Sequence, residues 1–180
     1  MKLDSELQIL FKSISFAAHK HKDQRRKDKD ASPYINHPIA LAEVLVNISN
    51  VTDIATICAA LLHDTVEDTE TTPEELSAIF GQEICDIVME VTDDKSLSKK
   101  ARKRAQVEHA PHLSSKARAV KLADKISNLR DVAANPPPDW SLERKQQYFD
   151  WSKMVIDGLR GEWPKLETLF DQQYRDRPVK

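Results

Sequence analysis

A cluster of ionisable residues directly follows the most apolar stretch of this sequence. Residues 54–62 read IATICAALL, and they are followed by His63, Asp64, Glu67 and Asp68. On a continuing helix, residues four positions apart share a face, so these side chains would lie together at the end of a buried helix. Three carboxylates and an imidazole in that position repel one another and lose solvation, which a bound cation would offset. The segment therefore predicts a metal site; the alternative is a helix end that has reached solvent.

Two further polar residues extend this cluster of candidate ligands. His37 precedes Pro38, which disfavours helical geometry in the residue before it and suits the first turn of a helix. Asp124 lies within the helical pattern of residues 116–132, where an isolated aspartate is usually paired with a lysine. Lys121 and Lys125 are both candidates for that pairing.

The combined set has two imidazoles and two carboxylates: His37, His63, Asp64 and Asp124. This donor mixture suits Mn²⁺, Fe²⁺ or Zn²⁺ better than a thiolate site does. Four protein ligands leave room in an octahedral shell for water and a substrate oxygen. Since Glu67 and Asp68 then remain to orient and deprotonate water, the pattern predicts metal-assisted hydrolysis.

Hydrophobic periodicity and capping residues outline the helices that must position these groups. Ser5 resembles an N-cap, Thr72 precedes Pro73 at a second helix start, Gly81 marks a helix end, and Ser141 caps a later helix. The predicted helices cover residues 5–21, 39–48, 54–62 running on into 63–68, 73–80, 82–91, a basic segment within 92–110, 116–132, 142–159 and 163–174. With no strand pattern and no repeat, the expected fold is all-α, a bundle around the buried helix 54–62.

Composition narrows the class of protein. A chain of 180 residues with 40% hydrophobic and 31% charged residues is typical of one globular domain. A net charge of −2 argues against a nucleic-acid-binding protein, and no segment reads as a signal peptide or a membrane span. Cys58 and Cys85 lack metal-type spacing, so we expect free buried thiols and a cytoplasmic location.

Cations are concentrated in two segments, residues 19–30 and residues 99–104. Each is either a solvated charged face or a face that meets an anion. An anionic ligand would need cations, and no other segment is as basic as these two.

Four segments together resemble a known family: RRKD…PYINHP, ALLHDTVEDT, VTDDK and KLADKISNLRD. They are similar to the HD-domain metal-dependent phosphohydrolases, and in particular to the small stand-alone (p)ppGpp hydrolases of metazoan type. The resemblance covers residues 16–159 and implies that residues 1–180 form a single HD hydrolase domain. Since there is no room for the synthetase domain of bifunctional relatives, the expected activity is degradation of the alarmone alone.

The resemblance also implies a role for individual residues. The implied ligands of one Mn²⁺ ion are His37, His63, Asp64 and Asp124. The implied catalytic pair that handles the attacking water is Glu67 and Asp68. The implied substrate contacts are the basic pair Arg26 and Lys27, Asn128 at the sugar-phosphate, and Lys99 and Tyr148 on the phosphate and base sides.

The function implied is removal of the 3′-pyrophosphate of (p)ppGpp, giving GDP or GTP and pyrophosphate. One alternative keeps the same metal site but removes the 2′-phosphate of NADPH. Another is a catalytically silent nucleotide-binding module, and a third is a helical scaffold whose polar motifs are accidental. The catalytic pair argues against a silent module, because a protein that only binds has no use for Glu67 and Asp68. The expected partner is a small-molecule nucleotide, with no nucleic acid and no membrane; the sequence makes no prediction about oligomeric state.

Overall fold

The computed structural model describes residues 2–179, with side chains from Asp4 to Val179. Over this range the chain forms ten α-helices, a π-helical turn at Val44–Ile48 and a 3₁₀ turn at Ala110–His112. The helices are α1 (Lys2–Lys20), α2 (Asn36–Glu43), α3 (Ile54–Leu62), α4 (Thr65–Asp68), α5 (Pro73–Phe80), α6 (Gln82–Val91), α7 (Lys99–His109), α8 (Ser115–Ala134), α9 (Leu142–Asp157) and α10 (Pro164–Tyr174). The one extended pairing in the described range is an isolated bridge between Arg25 and Pro33. The all-α prediction is confirmed.

Helix α3 is the centre of the bundle. All its residues except Ile54 are buried, and it packs against α1, α2, α6 and α8. The Asp53 side chain caps its start by accepting a hydrogen bond from the Thr56 backbone N–H at 2.9 Å. A helix that is apolar on all sides belongs where other helices surround it, so the predicted central buried helix is confirmed.

The central helix does not continue through the ionisable residues, which corrects the predicted geometry. Helix α3 ends at Leu62, His63 and Asp64 form a turn, and α4 begins at Thr65. The Thr65 hydroxyl donates to the Leu62 carbonyl at 2.7 Å, which satisfies that carbonyl locally at the break. Because of the turn, His63 and Asp64 follow a helix end instead of lying in mid-helix.

Helix boundaries were predicted well where capping chemistry is strong. Thr72 accepts from the Glu75 N–H, and Gly81 ends α5 with a φ of 87°, a conformation that glycine adopts readily. The prediction of a first helix starting at Ser5 is wrong, because α1 begins at Lys2. The second helix likewise begins at Asn36 rather than at Ile39.

Helices α7 and α8 differ in how they join the bundle. Helix α8 buries residues along most of its length, whereas α7 buries none and packs mainly on α9. Cys58 and Cys85 are buried and free, as predicted. In the part of the chain that the structure describes, no helix has the length and apolarity needed to cross a membrane.

Candidate active site

Three of the four predicted ligands form a buried cluster where α2, α3 and α8 meet. One ligand atom each from His37, His63 and Asp124 lies within 4.8 Å of the others. The exposed fraction is 4% for His37, 5% for His63 and 9% for Asp124. The His37 Nε2 atom is 3.3 Å and the His63 Nε2 atom 4.0 Å from the same Asp124 oxygen, Oδ1. This spacing allows one cation to be shared by the three side chains.

The fourth predicted ligand, Asp64, borders this cluster. Its Oδ2 atom lies 2.9 Å from His63 Nε2 and also accepts a hydrogen bond from the Tyr34 hydroxyl. Burial would raise the pKa of Asp64, but the neighbouring imidazoles of His63 and His37 hold it well below its usual range. The carboxylate is therefore ionised and available to a cation.

The orientation of His63 fits a metal ligand. Its Nδ1 atom lies 2.8 Å from the Ala60 carbonyl, to which it donates, and this leaves Nε2 as the free nitrogen. The Nε2 atom is buried and lies 2.9 Å from Asp64 Oδ2, so in the neutral ring two acceptors face each other with no hydrogen between them. An unpartnered buried nitrogen is rare in proteins, whereas metal-bound histidines commonly donate their other nitrogen to a backbone carbonyl.

Burial and neighbouring charges act differently on the two imidazoles. Burial lowers the pKa of His37. Burial acts in the same direction on His63, but there Asp64 and Asp124 outweigh it and raise the pKa. A divalent cation would balance the two carboxylates, so the residues present fit a bound metal ion.

Asp124 is paired with Lys125, which decides between its two predicted partners. The Lys125 ammonium donates to Asp124 Oδ2 at 3.0 Å, while Lys121 donates to the Val91 carbonyl at 2.8 Å. The Asn128 side chain donates to Asp124 Oδ1 at 2.6 Å. Although burial would raise it, Lys125 and His37 hold the pKa of Asp124 well below its usual range. Both neighbours thus fix Asp124 as a carboxylate.

Glu67 and Asp68 are adjacent to the ligand cluster but do not belong to it. Glu67 Oε2 accepts from the Asp93 backbone N–H at 3.0 Å, and the Lys95 ammonium lies 2.6 Å from Asp68 Oδ1 and 3.5 Å from Glu67 Oε1. Burial raises the pKa of Glu67, with a smaller contribution from Asp64. A carboxylate with a raised pKa accepts a proton more readily, as a general base must.

Two contiguous cavities open over these residues. The first, of about 260 Å³, contains all four predicted ligands, Glu67 and Asp68 in its wall, and we call it the inner cavity. The second, of about 430 Å³, has Lys27 and Trp140 in its wall, and we call it the outer cavity. Arg26, Tyr34, Asp68, Asn128 and Tyr148 line both cavities. A single extended ligand can therefore reach from the ligand cluster into the outer cavity.

The structure brings all five predicted substrate contacts to these cavities. Arg26 donates to Asn128 Oδ1 at 2.9 Å and to Asp131 Oδ2 at 2.6 Å, so it is held at the boundary between them. Lys27 is exposed and lines the outer cavity, whereas Lys99 is exposed and lines the inner one. Burial raises the pKa of the Tyr148 hydroxyl to about 12, so it is protonated at neutral pH and can donate a hydrogen bond.

Several residues of the site were not singled out from the sequence. Tyr34 and Lys95 lie inside the PYINHP and VTDDK segments, so the motifs contained them without indicating their roles. Lys103 and Lys125 lie in segments that the sequence analysis named, but their contacts with the Trp151 ring were not predicted, and nothing local in the sequence marks Trp140 or Trp151. The contacts of Lys103 and Lys125 with Trp151 join three different helices, α7, α8 and α9.

Comparison with known proteins gives a consistent result over nearly the whole chain. A family model described as an HD domain matches residues 13–149. A Danio rerio protein named guanosine-3′,5′-bis(diphosphate) 3′-pyrophosphohydrolase MESH1 is 51% identical over 176 residues, which cover 98% of each chain. The Homo sapiens protein of the same name is 49% identical, covering 97% of this chain and 98% of its own. A solved structure described as a metazoan ortholog of SpoT that hydrolyzes ppGpp has a TM-score of 0.91 at 46% identity, covering 94% of this chain and 95% of that one.

Proposed function

Because this chain belongs to the HD domain family, and within it to the guanosine-3′,5′-bis(diphosphate) 3′-pyrophosphohydrolases, we propose that it hydrolyses ppGpp and pppGpp. The products are GDP or GTP and pyrophosphate. One observation supports this assignment above the others. The unpartnered Nε2 atom of His63 faces two carboxylates in a cavity that also holds Glu67 and a set of cations.

The proposed cofactor is one Mn²⁺ ion held by His37, His63, Asp64 and Asp124. When bound, such an ion supplies charge stabilisation to the transition state and makes water more acidic. Manganese is favoured over magnesium because two of the four donors are imidazoles, and Mg²⁺ prefers oxygen and water ligands. The buried, unpartnered nitrogen of His63 is the feature that a metal ion would satisfy.

Glu67 and Asp68 are the proposed catalytic pair. In the reaction, water adds to the phosphorus attached to the ribose, and the bond between that phosphorus and the 3′ oxygen breaks. Glu67 takes the proton of the attacking water and returns it to the 3′ oxygen as that oxygen leaves. The raised pKa of Glu67, caused mainly by burial, suits proton transfer in both directions.

The nucleoside is proposed to occupy the outer cavity. The rings of Trp140 and Tyr148 have their centroids 5.3 Å apart at one side of it, which offers an aromatic surface to a purine. Arg26 and Lys27 supply positive charge for phosphates, and Asn128 lies at the boundary where the ribose would sit. In the inner cavity, Lys99 supplies a further cation. The two free, buried thiols support a reducing, cytoplasmic location.

A side-by-side product assay tests this function. The purified protein is stripped with a chelator, reloaded with Mn²⁺ or Mg²⁺, and given ppGpp or NADPH. We expect GDP and pyrophosphate from ppGpp, with Mn²⁺ restoring more activity than Mg²⁺. Release of phosphate from NADPH alone would assign the same site to the 2′-phosphatase activity instead. Equal rescue by Mg²⁺ would show that the ligand set is wrong.

A further inference from the structure

Lys103 is a cation of the inner cavity that has no anionic partner among the described residues. Lys103 lies one helical turn after Lys99 on α7, so both side chains lie on the same face of the helix, and both line the inner cavity. The Lys103 ammonium lies 4.5 Å from the centroid of the Trp151 ring and 5.6 Å from that of Tyr148. The Trp151 indole N–H donates to the Lys103 carbonyl at 3.0 Å. Lys103 is therefore held in place by two aromatic rings.

Three other cations of the same cavity already have a partner. Arg26 is paired with Asp131, Lys125 with Asp124, and Lys121 with the Val91 carbonyl. Within residues 2–179, the Lys103 ammonium makes no hydrogen bond or ion pair, and its charged neighbours are the cations Lys99, Lys125 and Arg144. A half-buried ammonium among cations is destabilised unless an anion joins it.

The position of Lys103 relative to the ligand cluster indicates which anion that is. The Lys125 ammonium bonds Asp124 and also lies 4.5 Å from the Trp151 centroid, so the Trp151 ring contacts both lysines. Lys125 thus bonds a ligand carboxylate directly, whereas Lys103 bonds none and shares the Trp151 ring with Lys125. The reacting phosphorus must lie at the ligand cluster and near Glu67. A second phosphate on the same substrate extends away from it.

We propose that Lys103 binds the terminal, non-reacting phosphate of the 3′-diphosphate and makes the enzyme prefer a diphosphate ester over a monophosphate ester. This inference rests on the proposed function. A 3′-monophosphate has no group that reaches Lys103, whereas a 3′-diphosphate places its most highly charged phosphate there. A hydrogen bond between the Lys103 ammonium and an ionised phosphate is stronger than one between neutral groups. It is strongest where water is excluded.

The test compares two substrates that differ by one phosphate. Lys103→Met removes the charge but keeps an apolar chain against Trp151, and Lys103→Arg keeps the charge. Lys100→Met is the matched control, since Lys100 is exposed on the same helix and lines neither cavity. We expect Lys103→Met to lower kcat/KM for ppGpp by roughly 10- to 100-fold. For guanosine 5′-diphosphate 3′-monophosphate, kcat/KM of this variant should stay within about twofold of that of the unmodified protein. Lys103→Arg should recover most of the kcat/KM lost on ppGpp.

Binding of inorganic pyrophosphate and of phosphate gives a second readout that does not depend on turnover. Lys103→Met should weaken pyrophosphate binding to the Mn²⁺-loaded protein and leave phosphate binding unchanged. An equal loss on both substrates, or unchanged pyrophosphate affinity, would overturn the assignment. If the unmodified protein fails to cleave ppGpp, the proposed function fails, and the pyrophosphate titration still decides the role of Lys103. A melting temperature equal to that of Lys100→Met shows that the variant is folded.

Discussion

The two sides of the inner cavity are built in opposite ways. On one side, His37, His63 and Asp124 are almost completely buried and come from helices that pack on one another in the core. On the other side, α7 buries none of its residues, yet it brings Lys99 and Lys103 to the cavity. The first side is fixed by core packing, and the second is attached to the bundle mainly through α9.

This difference suggests a division between chemistry and recognition. Ligands that must meet one ion need positions fixed to a fraction of an ångström, which a packed core provides. Cations that meet a flexible phosphate chain act over a longer range and tolerate a less constrained element. We therefore expect changes on the buried side to affect stability and catalysis together, and changes at the cationic side to affect substrate binding alone.

The largest effect is expected for His63→Ala. The variant should lose bound Mn²⁺ and all measurable turnover, because the metal supplies several kcal/mol of transition-state stabilisation. It should also lose the stabilisation that the ion gives the folded state, about 2.7 kcal/mol at a hundredfold excess over Kd. Elemental analysis and thermal unfolding with and without Mn²⁺ measure both. Retention of metal by this variant would remove His63 from the ligand set.

Glu67→Gln and Asp68→Asn should separate catalysis from metal binding on that same side. Each keeps the shape of the side chain and removes proton transfer, which commonly contributes roughly 10²–10⁴ in rate. We expect kcat to fall by that amount while Mn²⁺ and the metal-dependent rise in melting temperature persist. A Glu67→Gln protein without metal would mean that Glu67 is a ligand; normal turnover would mean that the pair is not catalytic.

Arg26→Ala and Lys27→Ala sharpen the comparison, since Arg26 is a cation that faces the substrate cavities and is also held by hydrogen bonds to α8. Lys27 is exposed, so its loss should raise KM several-fold and leave the melting temperature unchanged. Arg26 contacts Asn128 and Asp131, so its loss should raise KM by roughly 10- to 100-fold and also lower stability, since a charged hydrogen bond contributes about 1.5–3 kcal/mol. Steady-state kinetics and thermal unfolding distinguish the two variants. Equal changes in KM and melting temperature would contradict the difference between a hydrogen-bonded Arg26 and an exposed Lys27.

The smallest effect is expected from Lys95→Met, as a shift of the pH profile. The pKa of Glu67 is raised mainly by burial, and Lys95 opposes that rise. The base must be deprotonated, so activity falls as pH decreases through the Glu67 pKa. Removal of Lys95 lets that pKa rise further, and the acidic limb of kcat/KM should move to higher pH. The profile of Lys100→Met is the control; a shift to lower pH would contradict the role of Glu67 as base.

Much of the framework follows from local patterns in the sequence. The starts of α5 and α9 were predicted from Thr72 and Ser141, because a capping hydrogen bond forms between residues three positions apart. The apolar run 54–62 identified the central helix, because a helix that is apolar on all sides must be surrounded by other helices. The candidate ligand residues and their order in the chain were likewise recognisable as a motif.

The tertiary structure decided which groups surround those residues. Periodicity left Lys121 and Lys125 equally able to pair with Asp124, and only the packing of α8 sends Lys121 to the Val91 carbonyl. The bond from Tyr34 to Asp64 joins segments 30 residues apart. The contact of Lys103 with Trp151 spans 48 residues. Caps and periodicity act over a few residues, whereas contacts between distant elements depend on how whole helices pack, and no local pattern encodes that packing.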